Sequence, residues 1–320
     1  MASIITVAKL AGVGKSTVSR YVNGNGYVSE ENQKKIEKAI KQCGYVPSTS
    51  GRSLRLNRSY AMAICVPMIT HPFFSRFAES LEKAVFEQAG EGNNRLNQVI
   101  IVSGEEQKRL KWLMVRHLID GAFLVTHDDF DPSEYGIPIV TVDRLMGKEV
   151  PVVTSDNYES TYAALTYLYD TGARKIGFIG GRPSQRSEVL RRYDAYSDLL
   201  KAKNLPGFIS YADYRHGQEM EISAQFLAKY KDLDAVFATS DAFGFALYRV
   251  SRAMGQNDLR IISYDGCMDD FIQKPVFTCV KQDTDRLART ALDLLLKKIG
   301  GKACPNKVVI PSTFRKGETA

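Results

Sequence analysis

The apolar positions of the chain change rhythm near residue 60. Before it they recur at helical spacing: Ile5, Ala8 and Ala11 share one face of a segment over 4–11, with Thr6 as the expected N-cap. Gly12-Val13-Gly14 interrupts that pattern. A second short helix is predicted over 15–23, with Val18 and Val22 four apart and turned inward, and Lys15, Ser16, Ser19 and Arg20 turned out. After Gly24-Asn25-Gly26, Ser29 is expected to cap a third helix. Its buried stripe is Ile36, Ala39, Ile40 and Cys43, and Gly44 ends it. Three short helices with a tight glycine turn between the first two describe a helix-turn-helix unit.

From Tyr60 onward, short apolar runs alternate with helical patterns. The runs at 61–66, 99–103, 121–126, 139–142, 175–180, 235–238 and 260–264 read as strands, and 74–89, 105–117, 158–171, 189–203, 217–230 and 243–254 as helices. Repeated strand-helix units predict parallel doubly wound sheets with helices on both faces. A pause at 151–157 splits the series in two, which predicts two lobes and a cleft at the carboxyl ends of the strands. Trp112, the only tryptophan, lies near Leu110 and Val115 in a helical pattern and is expected to pack. The polar, basic stretch 47–59 separates the two regions and reads as a hinge. The expected domains are therefore 1–46, 47–59 and 60–320.

Charge sharpens this division. Residues 1–58 hold ten Lys and Arg against three Glu, which accounts for the whole net charge of +7; the other 262 residues carry 33 bases and 33 acids. A small basic module on a neutral body suits attraction to a polyanion, because only the face that meets phosphate benefits from positive charge.

Several chemistries are excluded. Gly12-Val13-Gly14-Lys15-Ser16-Thr17 imitates the end of a phosphate-binding loop, but the required preceding glycine is Lys9, and the run before it reads as helix rather than strand. There is no G-x-S-x-G or H-E-x-x-H, and His71, His117, His127 and His216 are scattered, so no catalytic residues, metal site or cofactor are expected. Cys43, Cys65, Cys267, Cys279 and Cys304 form no C-x-x-C pair, which points to a reducing compartment. With no signal segment and no membrane span, a cytoplasmic location is expected.

The run from Thr6 through Ala11-Gly12-Val13 and Ser16-Thr17-Val18-Ser19-Arg20 to Asn23, then Val28-Ser29 and Gly44-Tyr45-Val46-Pro47, resembles the signature of the lactose-repressor/galactose-repressor (LacI/GalR) family. The resemblance implies that the second helix lies in the major groove. Lys15, Ser16 and Arg20 would reach base edges, and Ile4, Thr17, Ser19, Asn23 and Tyr27 would complete the DNA surface, the polar ones holding phosphates. It implies further that Leu54 is a minor-groove wedge in a hinge helix formed on DNA, flanked by Arg52 and Arg55. Gly14 stands where the family usually has a serine cap, and Gly51 where it often has alanine, a helix-interior cost of roughly 1 kcal/mol.

The body is similar to the family's sensor domain, itself like periplasmic sugar-binding proteins. The marks are His71-Pro72-Phe73-Phe74, Val142-Asp143-Arg144, Ser155-Asp156-Asn157, Arg192, Thr239-Ser240-Asp241, Ser263-Tyr264-Asp265-Gly266 and Lys281-Gln282-Asp283. By this comparison the lobes are about 60–154 plus 284–311 and 155–283 plus 312–320, and Phe73, Asp143, Arg192, Tyr214, Asp241, Asp265 and Gln282 line an effector cleft. Paired hydrogen bonds from Arg and Asp with an aromatic face suit a sugar. The expected protein is a homodimeric repressor of carbohydrate-utilisation genes on a near-palindromic operator. The alternatives are a transporter's solute-binding protein, or a regulator answering to a partner protein or a phosphorylated metabolite.

Overall fold

A computed structural model describes residues 2–24, 26–45, 58–89, 98–126, 131–182, 185–212, 217–268 and 274–320. The chain divides into two compact units, Met1–Arg58 and Ser59–Ala320. Arg52, Leu54 and Arg55 of the expected hinge, and Tyr214, lie outside the described residues.

The first unit is three helices: α1 (Ile4–Ala11), α2 (Lys15–Asn23) and α3 (Glu30–Cys43). Ser3, not Thr6, caps α1. The Ser3 hydroxyl accepts from the Thr6 N–H at 3.2 Å while Thr6 Oγ1 accepts from the Ser3 N–H at 3.4 Å, a reciprocal capping box. With the helix starting there, Val7 joins Ala8 and Ala11 in the buried stripe, and Ile5, expected inside, is 52% exposed. Val18, Val28, Ile36 and Ala39 complete the core. Gly12, Gly24 and Gly44 end the three helices in left-handed conformation, where a Cβ would be strained. Ser29 stands at the N-cap of α3 but its side chain makes no capping bond; Gln33 Nε2 reaches back to the Val28 carbonyl instead.

The second unit contains two six-stranded sheets. The first has the order β11-β5-β4-β3-β1-β2, from β1 (Ala61–Val66), β2 (Gln98–Ser103), β3 (Gly121–Leu124), β4 (Ile139–Val142), β5 (Val152–Ser155) and β11 (Lys307–Ile310), all parallel. The second has the order β12-β10-β9-β8-β6-β7, from β6 (Ile176–Gly181), β7 (Phe208–Ala212), β8 (Ala235–Ala238), β9 (Arg260–Asp265), β10 (Thr278–Lys281) and β12 (Thr313–Arg315), with β12 alone antiparallel. Parallel strands buried on both faces need continuous apolar runs, and β1, β3, β4, β6 and β8 are buried at every position.

Helices cover both faces of each sheet. α4 (Pro72–Ala89) and α10 (Thr284–Ile299) pack together on the first, opposite α5 (Glu106–Val115). On the second, α6 (Asn157–Asp170) pairs with α7 (Leu190–Lys203), and α8 (Glu219–Lys229) with α9 (Asp241–Ala253). The chain passes between sheets three times, from β5 to α6, from β10 to α10 and from β11 to β12. The first and last of these crossings are bonded to each other: Asp156 N–H donates to the Ile310 carbonyl at 3.2 Å, and its carboxylate accepts from Ser312 N–H at 2.8 Å.

The chain passes from the first sheet to the second within 151–157, where the split between lobes is expected, but two details of this unit differ from expectation. The pause at 151–157 is strand β5 and the start of α6: a run of only four strand residues between Pro151 and a helix start lacks a readable period. Trp112 is 51% exposed rather than packed, with the Arg116 guanidinium 4.3 Å from its ring centre, because α5 already fills its core side with Leu110 and Leu113.

Candidate functional site

On α2, at about 100° per residue, positions 15, 16, 19, 20 and 23 fall within an arc of roughly 140°. Val18 and Val22 point the other way into the core. Tyr21, between them, donates its hydroxyl to Glu37 of α3 at 2.6 Å, and burial with that bond pushes its pKa up to about 12. The helix is thereby held to its neighbour on one side and presents Lys15, Ser16 and Arg20 to solvent on the other. Among the described residues neither Lys15 nor Arg20 has an ion-pair partner. Tyr27, just beyond, is 88% exposed. Thr17 and Ser19 are half-buried at the flanks, and Ile4 is half-buried at the start of α1. Gly14 caps α2 through its backbone alone, leaving the first N–H groups of the helix without a side-chain partner. A varied, cationic, hydrogen-bonding face on an exposed helix is what base edges and phosphates require.

The second unit holds a cavity between its two sheets, at the carboxyl ends of β1, β3, β4, β6, β8 and β9. Five of the expected residues, Phe73, Asp143, Arg192, Asp265 and Gln282, line it. Phe73 opens α4 and is both wall and core, stacked 6.2 Å from Phe77. Asp143 follows β4 and Asp265 ends β9, with φ of 56° and 100°, backbone settings uncommon for residues with a Cβ and concentrated where a side chain must be aimed. The Asp143 carboxylate accepts from the Thr154 hydroxyl and from Asn157 Nδ2 at 3.2 Å. Asp265 accepts from Gln282 Nε2 at 2.8 Å, and Gln282 in turn accepts from the Ser155 hydroxyl.

Arg192 is 4% exposed, with its guanidinium carbon 3.5 Å over the Tyr264 ring. Its Nε donates to Asn157 Oδ1 at 2.6 Å and one terminal nitrogen to the Thr239 carbonyl at 2.7 Å; that nitrogen is 3.9 Å from Asp265. Two of its five N–H donors are thus engaged within the described residues. Burial raises the Asp265 pKa, against the pull of Arg192 and the Gln282 bond.

Asp241 is placed elsewhere. It begins α9, and its carboxylate turns inward to the Ser263 hydroxyl at 2.6 Å and to the N–H groups of Cys267 and Met268, so it holds the loop after β9 and does not line the cavity. Burial, and then the Asp265 carboxylate, raise its pKa. The wall also includes residues the sequence reading left unassigned: Arg144, Ser187, Thr239 and Glu219. Arg144 and Thr239 sit inside motifs already singled out, whereas Ser187 and Glu219 carry no local signal. One wall is clasped across the sheets, where Leu145 N–H donates to the Arg186 carbonyl at 2.7 Å and Lys307 pairs with the buried Glu188 at 2.7 Å. Among the described residues no group of His, Cys, Asp and Glu could hold a metal ion, and no helix is long and apolar enough to cross a membrane.

Comparison with known proteins covers both units of the chain. Residues 3–48 match the family of bacterial regulatory proteins, lacI family, and residues 165–320 match a periplasmic binding protein-like domain. The HTH-type transcriptional regulator CelR of Thermobifida fusca is 30% identical over 92% of this chain and 91% of its own length. The ribose operon repressor of Halalkalibacterium halodurans is 28% identical over 100% of this chain and 99% of its own. Among solved structures, a CelR–cellobiose complex superposes with a TM-score of 0.71 at 28% identity, all of both chains being covered. The lac repressor dimer bound to operator and an anti-inducer gives 0.83 at 19% identity, covering 99% of this chain and 98% of that one, a likeness of fold. The match over 3–48 sets aside the transporter alternative, since a solute-binding protein has no use for a helix-turn-helix. The basic helix-turn-helix and the two-lobed body are thus one architecture, and the chain belongs to the LacI family of bacterial regulatory proteins: it is a DNA-binding transcriptional regulator and not an enzyme.

Proposed function

We propose that this regulator is a homodimeric repressor of carbohydrate-utilisation genes, released from or held on a near-palindromic operator by a small sugar in the cleft. The observation that carries the sugar is the cleft itself. Donors and acceptors from both sheets, Arg192, Asp143, Asp265 and Gln282, converge beside an aromatic wall that includes Phe73. Neighbouring hydroxyls of a sugar accept from a guanidinium and donate to a carboxylate, while its C–H face lies on an aromatic ring. The names of the similar proteins point the same way, with cellobiose bound to one and ribose and sucrose operons controlled by others.

Control follows from geometry. A ligand touching both lobes binds best at one lobe angle, and only that difference in affinity can shift the protein between angles. On DNA, Lys15, Ser16 and Arg20 would read bases, with Ile4, Thr17, Ser19, Asn23 and Tyr27 beside them on the DNA surface. Leu54, with Arg52 and Arg55, would wedge the minor groove, and two copies would meet two half-sites.

The test of the cleft is a melting-temperature series on the purified protein with ribose, cellobiose, sucrose, their phosphorylated forms and purines. A sugar at about 100 times its Kd adds about 2.7 kcal/mol and raises the midpoint. Stabilisation by sugar phosphates or purines alone, or by nothing small, would refute the neutral-sugar reading; the last result would favour a partner protein.

A further inference from the structure

Asn157, the first residue of α6, lies where the chain crosses from the first sheet to the second, and it is 2% exposed. Its amide is shared between the two lobes. Oδ1 accepts from Arg192 Nε at 2.6 Å, on the second sheet's side. Nδ2 donates to Asp143 Oδ1 at 3.2 Å, to Thr154 Oγ1 at 3.0 Å and to the Ser155 carbonyl at 3.1 Å, all on the first sheet's side. The orientation of the amide is forced by chemistry. A guanidinium only donates and a carboxylate only accepts, so oxygen must face Arg192 and nitrogen must face Asp143. No other uncharged side chain of this length offers both functions at once.

We infer that Asn157 is a positioning residue for the effector: its amide sets the guanidinium of Arg192 and the carboxylate of Asp143 in one relative geometry across the lobes, so that a polyol meets both together. This rests on the cleft being the sugar site. Without that amide the Arg192 Nε–H loses its acceptor and the guanidinium can swing over the Tyr264 ring. The Asp143 carboxylate keeps the Thr154 hydroxyl but loses the donor that joins it to the other lobe. The two groups then reach the ligand one at a time, and orientation that was built in must be supplied from binding energy.

Two substitutions in the full-length protein separate this role from bulk packing. Asn157→Asp keeps an acceptor for Arg192 but turns a carboxylate towards Asp143; Asn157→Leu keeps volume and removes both bonds. The first measurement is the Arg192 Nε–H resonance in protein labelled with ¹⁵N-arginine. The expected result is slow solvent exchange in the wild type and in Asn157→Asp, and exchange at least tenfold faster in Asn157→Leu. The second is affinity for ribose, cellobiose and sucrose by calorimetry, where whichever sugar the wild type binds is expected to bind at least tenfold more weakly to both variants. A role limited to packing would lower melting temperature and leave the Nε–H protection and the affinity of Asn157→Asp unchanged. Wild-type affinity in Asn157→Asp, or wild-type protection in Asn157→Leu, would overturn the inference. If the wild type binds none of the three sugars, the polyol reading fails for these sugars by itself, and the Nε–H comparison still decides whether Asn157 positions Arg192.

Discussion

Asp241 and Asp265 are two buried carboxylates, and Asp265 lies beside a single guanidinium. Like charges in a dry place resist joint ionisation, and burial raises both above the ordinary 3.8. A folded-state acid with a raised pKa binds protons that the unfolded chain has released. Its stabilising contribution is therefore complete below about pH 4 and is lost as the pH rises towards about 7. Denaturant unfolding followed across that window is expected to show a smaller slope of stability against pH for Asp265→Asn than for the wild type; equal slopes would contradict the assignment. At this scale the sequence was readable through motifs at strand ends and in the first turns of helices. Phe73, Asp143, Arg192, Asp265 and Gln282 all meet in one cavity. Asp241 stood in an equally clear motif, but its side chain turns to the loop after β9, and only the three-dimensional path of that loop decides which way it faces.

Among elements, α2 carries the sharpest consequence. If Arg20 reads a base and Thr17 holds a phosphate, Arg20→Ala should relax preference at one operator position, a change of about 1–3 kcal/mol between bases. Thr17→Ala should weaken all duplexes alike. Competition binding with single-base operator variants distinguishes the two, and a uniform loss for both would remove the assigned roles. In the second sheet, the side chain of Thr239, just after β8, fills the space beside Gly180 of β6, where an added Cβ would stand 1.7 Å from its Oγ1. Gly180→Ala should therefore destabilise the body by about 1–3 kcal/mol or more, read as a drop in the denaturation midpoint. The buried central strands were legible because two covered faces demand unbroken apolar runs. Several strands at or next to the edges, β5, β7, β10, β11 and β12, were not, because their identity comes from pairing with distant partners rather than from local pattern.

For the whole molecule, the confinement of all net positive charge to residues 1–58 was visible without coordinates, as were the helix-turn-helix and the alternation of strands and helices. The bonding of the first crossing to the last was not, because Asp156, Ile310 and Ser312 are neighbours only after the body has folded. The proposed regulation depends on α2 entering a duplex groove as half of a symmetric pair, with the cleft altering that grip. Selection from a random duplex pool by the full-length protein at moderate salt, with and without ribose, cellobiose or sucrose, tests it most directly. The expected outcome is enrichment of a near-palindromic sequence whose recovery changes with one of the sugars and whose affinity falls steeply with added salt. Recovery of no preferred sequence under any of these conditions would contradict it.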